Sequence, residues 1–111
     1  MKTANPKNYI MFAGVHPNHV WVYGVLEGYT FSAKVYCIGS DYGIHKGRTS
    51  KLLVHLGAYE QSRKNWIANY DRGWDVRPTK EHQKSVDRII GLLEGLPQPE
   101  VFEENMCFSL D

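Results

Sequence analysis

A tight hairpin between residues 20 and 36 is the strongest pattern of apolar and polar positions in the chain. Its two arms are rich in β-branched and aromatic residues, and Glu27-Gly28 joins them as a two-residue connection ending in glycine, which is typical of a β-hairpin. The second arm alternates with a period of two, as a half-buried strand does. Its apolar positions are Tyr29, Phe31, Ala33, Val35 and Cys37. The first arm is apolar at both sets of positions, which predicts a central strand covered on both faces.

Three further runs predict strands on either side of this hairpin. Residues 50–56 and 66–70 are rich in strand-forming residues and are bounded by glycine or polar turns. Residues 9–13 form a short apolar run that predicts either an edge strand or a flap over the core. Residues 38–49 predict a loop, and we expect its glycines to hold backbone conformations that are closed to other residues.

A single predicted helix follows the strands and begins after Pro78. Thr79 is a suitable N-cap residue, and Gly95 followed by Pro97 ends the helix. Apolar residues at i, i+3, i+4 and i+7 place one stripe against the sheet. This stripe consists of Val86, Ile89, Ile90 and Leu93. The charged positions are left for solvent, namely Lys80, Lys84, Asp87, Arg88 and Glu94.

The order β-β-β-β-α predicts an α+β fold, in which a four- or five-stranded antiparallel sheet carries one C-terminal helix on one face. The opposite face is then partly open and carries aromatic and polar side chains. We expect residues 20–96 to form a single α+β domain. Residues 1–19, with the candidate edge strand, are then an N-terminal extension, and residues 97–111 are a C-terminal tail. A length of 111 residues suits one domain.

Composition and charge set limits on function. The formal net charge is +1, so no global field steers the protein to nucleic acid or membrane, and a nucleic-acid interaction must depend on a local patch. No apolar run approaches the ~20 residues that span a bilayer, and the polar N-terminus does not resemble a secretory signal. Cys37 and Cys107 have no paired spacing, which favours free thiols over a disulfide. We therefore expect a cytoplasmic protein.

Two segments concentrate candidate chemistry, residues 42–51 and residues 69–75. The first holds glycines, hydroxyls and cations that can cradle a phosphate, although it lacks the order of a Walker A loop. The second alternates aromatic and charged residues, the types that anchor protein interfaces and stack on bases. We expect the two segments to converge as one solvent-accessible patch. Its predicted binding residues are Tyr42, Arg48, Lys51, Tyr70, Arg72 and Trp74.

Each segment also has a purely structural interpretation. In the first segment, Arg48 and Lys51 can pair with aspartates at positions 41, 71 or 75, and the glycines then only shape a connection. In the second segment, Trp74 can cap the core while Arg72 bridges the adjacent aspartates. Both interpretations stay open at the level of sequence.

A wider set of basic and aromatic residues can form a nucleic-acid patch, although acidic residues dilute it. The set is Lys34, Tyr36, Lys51, Arg63, Lys64, Trp66, Arg72 and Arg77. His16-x-x-His19 straddles a proline and lacks a cysteine or carboxylate partner at a familiar spacing, so we predict no metal site and no cofactor. No Ser-His-Asp or Cys-His signature is present. We expect no enzymatic activity, and catalysis through Asp71, Arg72 and His45 is kept as an alternative.

Spaced motifs run through the hairpin, the loop and the later strands. The motif of the hairpin consists of Trp21, Gly24, Gly28 and Phe31, followed by AKVY at residues 33–36. S-x-YGI and GR-x-SKL follow within residues 40–52, and NYDRGWD occupies residues 69–75. With these motifs, residues 20–96 resemble a family of small uncharacterised proteins that are encoded by bacteria, their phages and mobile elements.

The resemblance implies a mobile-element setting and brings no established activity. Together with the aromatic and basic patch, it leads us to expect a non-catalytic binding protein. Its partner would be a surface of a bacterial host protein or ribonucleoprotein complex, such as the CRISPR effector of a defence system. Two alternatives are a nucleic-acid-binding module and the sequestration of a nucleotide signal. An exposed edge strand can also pair with a second copy, which would give a homodimer.

Overall fold

A computed structural model describes residues 7–57, 65–98 and 106–111 of the chain. The strands are β1 (Tyr9–Val15), β2 (His19–Leu26), β3 (Tyr29–Tyr36), β4 (Thr49–Leu56), β5 (Trp66–Asp71), β6 (Trp74–Val76) and β7 (Cys107–Ser109). The helix α1 spans Lys80–Glu94 and lies between β6 and β7 in the chain. A single turn at Ile44–Lys46 interrupts the loop between β3 and β4.

The described strands form one antiparallel sheet in the order β6-β5-β4-β3-β2-β1-β7. The α+β class with one helix is confirmed, but the sheet has seven strands in the described ranges instead of the four or five that we predicted. β6 and β7 each have three residues, which is too short to show a period of two. The run at residues 9–13 is a strand, and β7 covers its outer side, so it is not an edge.

The predicted hairpin is confirmed as β2 and β3. Glu27 (φ 54°) and Gly28 (φ 84°) connect them, and both have the positive φ that the favoured two-residue hairpin turn requires. The alternation in β3 is also confirmed, because Phe31, Ala33 and Val35 are buried while the intervening residues are not. The backbone therefore divides the polar and apolar side chains of this strand between two faces.

The prediction that β2 is covered on both faces is wrong. Val20 and Val22 are fully buried, but Tyr23 is 44% exposed and Trp21 is only partly buried. The reason is that α1 packs against β3 and β4 on one side of the sheet only. We call the side without the helix the open face.

The apolar stripe of α1 is confirmed, since Val86, Ile89, Ile90 and Leu93 are all buried. They close the core against the inner face of the sheet, where Phe12, Phe31 and Leu52 lie. Two expectations for this helix fail. Thr79 is the N-cap residue, but its side chain makes no capping hydrogen bond, and its carbonyl accepts the N–H of His82 at 2.9 Å. Glu94 is partly buried and turns towards the loop instead of towards solvent.

Candidate ligand-binding cleft

A row of four side chains crosses the open face perpendicular to the strands. In register, Trp21 of β2 pairs with Lys34 of β3, Lys34 pairs with Lys51 of β4, and Lys51 pairs with Asp71 of β5. The ammonium group of Lys34 lies 5.6 Å from the Trp21 ring centroid and 4.9 Å from that of Tyr36. The ammonium group of Lys51 lies 5.9 Å from the Trp21 centroid and 3.8 Å from the Asp71 carboxylate. The row therefore runs from an aromatic ring through two adjacent cations to a carboxylate.

The loop before β4 and the turn after β5 meet beside this row. The guanidinium of Arg72 lies 4.3 Å from the centroid of the Tyr42 ring. The Arg72 backbone N–H donates to the carbonyl of Ser50 at 3.0 Å, and the Tyr70 hydroxyl donates to the carbonyl of Tyr42 at 2.8 Å. The structure thus brings the segments 42–51 and 69–75 together, as we expected.

These elements enclose a cleft of about 670 Å³ on the open face. It is lined by Asn18, Lys34, Tyr36, Cys37, Ile38, Gly39, Ser40, Tyr42, Ser50, Lys51 and Arg72. Three of these residues are cations, two are tyrosines, and none is a carboxylate. The volume lies within the range of roughly 300 to 1,000 Å³ that is usual for small-molecule sites.

Two of the three cations have no acidic partner in the part of the chain that the structure describes. There, no carboxylate lies within 4.0 Å of the Lys34 ammonium or the Arg72 guanidinium, and both cations rest near aromatic rings. Such cation–π contacts stabilise by only ~0.5 to 1 kcal/mol at exposed sites. Lys51 has a partner in Asp71, but an exposed ion pair of this kind contributes about 0 to 1 kcal/mol. The cleft therefore keeps positive charge that an anion can neutralise.

Arg48 is not part of this cleft, which corrects one predicted binding residue. Its Nε donates to the carbonyl of Tyr36 at 2.7 Å, and its terminal nitrogens donate to the carbonyls of Glu94, Leu96 and Pro97. The Glu94 carbonyl is at the C-terminus of α1, which has no basic residue in its own last turn, and Leu96 and Pro97 directly follow the helix. Arg48 therefore supplies the positive charge that a helix C-terminus favours.

Glu94 completes what we call the helix-end junction, formed by Arg48, Thr49 and Glu94. The Glu94 carboxylate accepts the backbone N–H of Arg48 and of Thr49, each at 2.8 Å, and the Thr49 hydroxyl at 2.7 Å. Gly47 makes this approach possible, because a Cβ at that position would overlap the Glu94 carboxylate. The predicted phosphate cradle therefore fails at this point, since these N–H groups already have an internal acceptor.

The loop glycines have a different role from the one predicted. Gly43 and Gly47 do not hold positive φ angles, whereas His45 (φ 53°) and Lys46 (φ 60°) do. A Cβ on Gly43 would overlap the backbone of Gly47. The sequence correctly indicated an unusual backbone, but the glycines provide space for close approach rather than left-handed geometry.

Tyr70 and Trp74 also lie outside the cleft. Tyr70 is only 6% exposed, and its hydroxyl is used by the Tyr42 carbonyl. Trp74 packs edge-on against Tyr70 with ring centroids 5.1 Å apart, and the Arg77 guanidinium lies 5.6 Å from the Trp74 ring centroid. The structural interpretation therefore holds for Trp74, which packs against the core, but not for Arg72, which forms no ion pair with an aspartate in the described ranges. Of the six predicted binding residues, Tyr42, Lys51 and Arg72 line the cleft.

Other lining residues were not among the predicted binding residues. Lys34 and Tyr36 belonged to the wider nucleic-acid patch, and their place on the polar side of the alternating strand β3 was the signal that could have identified them. Ile38 is 77% exposed in the lining of the cleft. Its sequence signal was weak, since it is only an isoleucine in a predicted glycine-containing loop. Asn18 comes from the β1–β2 turn, and nothing in its local sequence indicates the cleft.

His16 and His19 stack next to this region, with ring centroids 4.4 Å apart. Burial lowers the pKa of His19 below its ordinary value, and the positive charge of Lys34 and the neighbouring His16 lower it further. The Asn18 side-chain oxygen lies 2.6 Å from Nδ1 of His19. Within residues 7–57, 65–98 and 106–111, no group of three or more side chains is arranged to hold a metal ion.

The fold and the cleft define a small α+β domain with an open, cationic sheet face. Comparison with protein families shows that the chain belongs to the family described as Domain of unknown function (DUF7678), whose model matches residues 20–94. Every residue that lines the cleft except Asn18 lies within this match. No curated protein and no solved structure matches the chain. In the described ranges, no helix has the length and apolar character needed to cross a bilayer.

Proposed function

We propose that the protein is a non-catalytic binding module whose cleft takes a nucleotide unit, an aromatic base that carries phosphate. The observation that carries this proposal is the convergence of Lys34, Lys51 and Arg72 with Tyr36 and Tyr42 in one cleft of about 670 Å³. A phosphate gains charge-assisted hydrogen bonds from such cations, and Arg72 can bind two of its oxygens at once. A base gains stacking on a tyrosine ring, at about 1 to 3 kcal/mol per base.

The composition of the cleft favours binding over catalysis. Its lining contains no carboxylate and no imidazole in the described ranges, which are the side chains that serve most often as general acids and bases. Asp71, Arg72 and His45, which we kept as a catalytic alternative, do not support it together, because neither Asp71 nor His45 lines the cleft. A bound ligand is therefore held by charge and stacking.

The resemblance to proteins of phages and mobile elements gives the setting of the proposal. In that setting the protein acts in the cytoplasm of a bacterial host. The nucleotide unit is either a free nucleotide signal, which the protein sequesters from a host defence system, or a part of a nucleic-acid strand. The two sources present the same chemistry to the cleft.

Binding measurements on the whole chain test this proposal. Isothermal titration calorimetry with linear and cyclic mono- and dinucleotides and with short single-stranded oligonucleotides should identify at least one ligand. Arg72→Ala and Lys34→Ala should each weaken its binding by about tenfold, since each removes a charge-assisted contact. Lys84→Ala removes a matched cation from the exposed side of α1 and should leave affinity unchanged. If no member of the panel binds at millimolar concentration, the proposal is wrong.

A second candidate function is docking on a host protein or ribonucleoprotein complex, such as a CRISPR effector. The observation that favours it is the exposure of Ile38 (77%) and Tyr42 (55%), which both line the cleft. Exposed apolar and tyrosine side chains of this kind anchor protein interfaces. Co-purification with a reconstituted effector that Ile38→Asp abolishes, in the absence of nucleotide binding, would favour this candidate. Its failure with every effector tried, with nucleotide binding present, would favour the first.

A further inference from the structure

A second, shallower hollow continues from the cleft across the open face. It has a volume of about 160 Å³, and Trp21, Ser32, Leu53, Asn69 and Asp71 contribute to its lining, where the Asp71 carboxylate lies 3.8 Å from the Lys51 ammonium. Lys51 lines both the cleft and this hollow, so the two are adjacent and share one cation. The cleft is therefore one part of a longer concave track.

Aromatic rings and cations recur along this track. Arg72 lies near Tyr42 at one end, Lys34 lies between Tyr36 and Trp21, and Lys51 lies between Trp21 and the cleft. Tyr23 follows Trp21 on the same side of β2 and is 44% exposed. A single nucleotide needs one ring and the charge around one phosphate. The repetition of ring and cation matches the repeating base and phosphate of a strand.

We infer that the ligand is a single-stranded nucleic acid that runs from the cleft, past Lys34 and Lys51, to the ring of Trp21. This inference rests on the proposed function and names the source of its nucleotide unit. An open antiparallel sheet that offers aromatic rings is a known way to hold unpaired bases, which stack on the rings while basic side chains follow the backbone. A double helix fits less well, because its bases are already stacked on one another.

The decisive experiment varies the length of the ligand. Fluorescence anisotropy with a labelled eight-nucleotide oligo(dT) gives a direct affinity, and unlabelled thymidine 5′-monophosphate and oligo(dT) of two, four and eight nucleotides serve as competitors. We expect the affinity to rise at least tenfold between one and four nucleotides, because a second base gains a stacking partner. We also expect the logarithm of the affinity to fall with the logarithm of salt concentration with a slope of about −2, since three cations contact phosphates at ~0.7 each on a single strand.

Trp21→Leu tests the path of the strand while keeping an apolar side chain on β2. It should remove most of the gain between one and four nucleotides. Phe108→Leu is the matched control, because Phe108 is an exposed ring that packs against Phe12 of the inner face. Circular dichroism confirms that both variants fold.

The outcomes separate the inference from the proposed function. If thymidine monophosphate or a cyclic nucleotide binds as tightly as the eight-nucleotide strand, the inference is wrong while the proposed function stands. If Trp21→Leu keeps the full gain with length, the strand does not follow this track and the inference is again wrong. If neither nucleotides nor strands bind, the proposed function itself fails.

Discussion

The helix-end junction and the cleft each contain an arginine that the sequence marks as a binding residue, and the two arginines have opposite surroundings. The Arg48 side chain donates to four backbone carbonyls, and its backbone N–H donates to the carboxylate of Glu94. Arg72 contacts the ring of Tyr42 and lies in an exposed turn. The comparison teaches that a basic residue is available to a ligand only where the fold leaves its donors without stronger acceptors.

The largest expected effect is a difference in the free energy of unfolding between variants of the two arginines. Arg48→Ala should lower the free energy of unfolding by about 2 to 4 kcal/mol, because the carbonyls at the end of α1 lose a charged donor. Arg72→Ala should change it by less than about 0.5 kcal/mol, since an exposed side chain with one ring contact is lost. Urea denaturation followed by circular dichroism measures both. Equal losses in the two variants would contradict the comparison.

A smaller loss is expected at the other side of the helix-end junction. Glu94→Gln should lower the free energy of unfolding by about 1 to 2 kcal/mol, because an amide NH₂ then faces N–H or hydroxyl donors of Arg48 and Thr49. The same urea titration measures it. Glu81→Gln is the matched control on the same helix, where the carboxylate is exposed, and its loss should stay below about 0.5 kcal/mol. An unchanged free energy of unfolding in Glu94→Gln would show that the junction does not stabilise the fold.

Arg72→Gly should raise the stability of the fold while it weakens nucleotide binding. Arg72 has a φ of 61°, which is unfavourable for a residue with a Cβ. Glycine relieves this cost but is more flexible in the unfolded chain, so we expect a net gain of roughly 0.5 kcal/mol. Nucleotide binding should weaken about tenfold at the same time. A variant that is both less stable and fully competent in binding would reverse the roles assigned to this residue.

The smallest expected effect is a change in the pKa of His19, which burial lowers most and the charge of Lys34 lowers further. Lys34→Gln should raise this pKa part of the way towards about 6.5, because burial remains. An NMR titration of the imidazole resonances measures the shift. Lys84→Gln, a cation on the far side of the fold, should leave the titration unchanged, and an equal response to both changes would contradict the placement of Lys34.

The lowered pKa of His19 also predicts how the stability of the fold changes with pH. Because the folded state holds the proton on His19 less tightly than the unfolded state, this group contributes stability above pH ~6.5. The contribution is lost as the pH falls from about 6.5 through the lower folded-state pKa. Unfolding free energies measured across this range should fall less steeply in Lys34→Gln than in the parent chain.

The sequence by itself determined the longer elements and the buried faces of β3 and α1. The hairpin about Glu27-Gly28, the alternation of β3 and the stripe of α1 are local patterns, and a period of two or of 3.6 residues is set by the backbone alone. The same patterns placed Lys34 and Tyr36 on the polar side of β3, away from the core. The segments 42–51 and 69–75 do meet as we expected, but no local pattern determined that they would.

The tertiary structure decided which of those residues remain free. Whether Arg48 meets carbonyls or a ligand depends on where α1 ends relative to the loop, and the burial of Tyr70 depends on the packing of β5 beside that loop. The three-residue strands β6 and β7 pair with the outer sides of the longer strands β5 and β1. These outcomes follow from strand order and register, which join residues distant in the chain, and no short-range pattern encodes such neighbours.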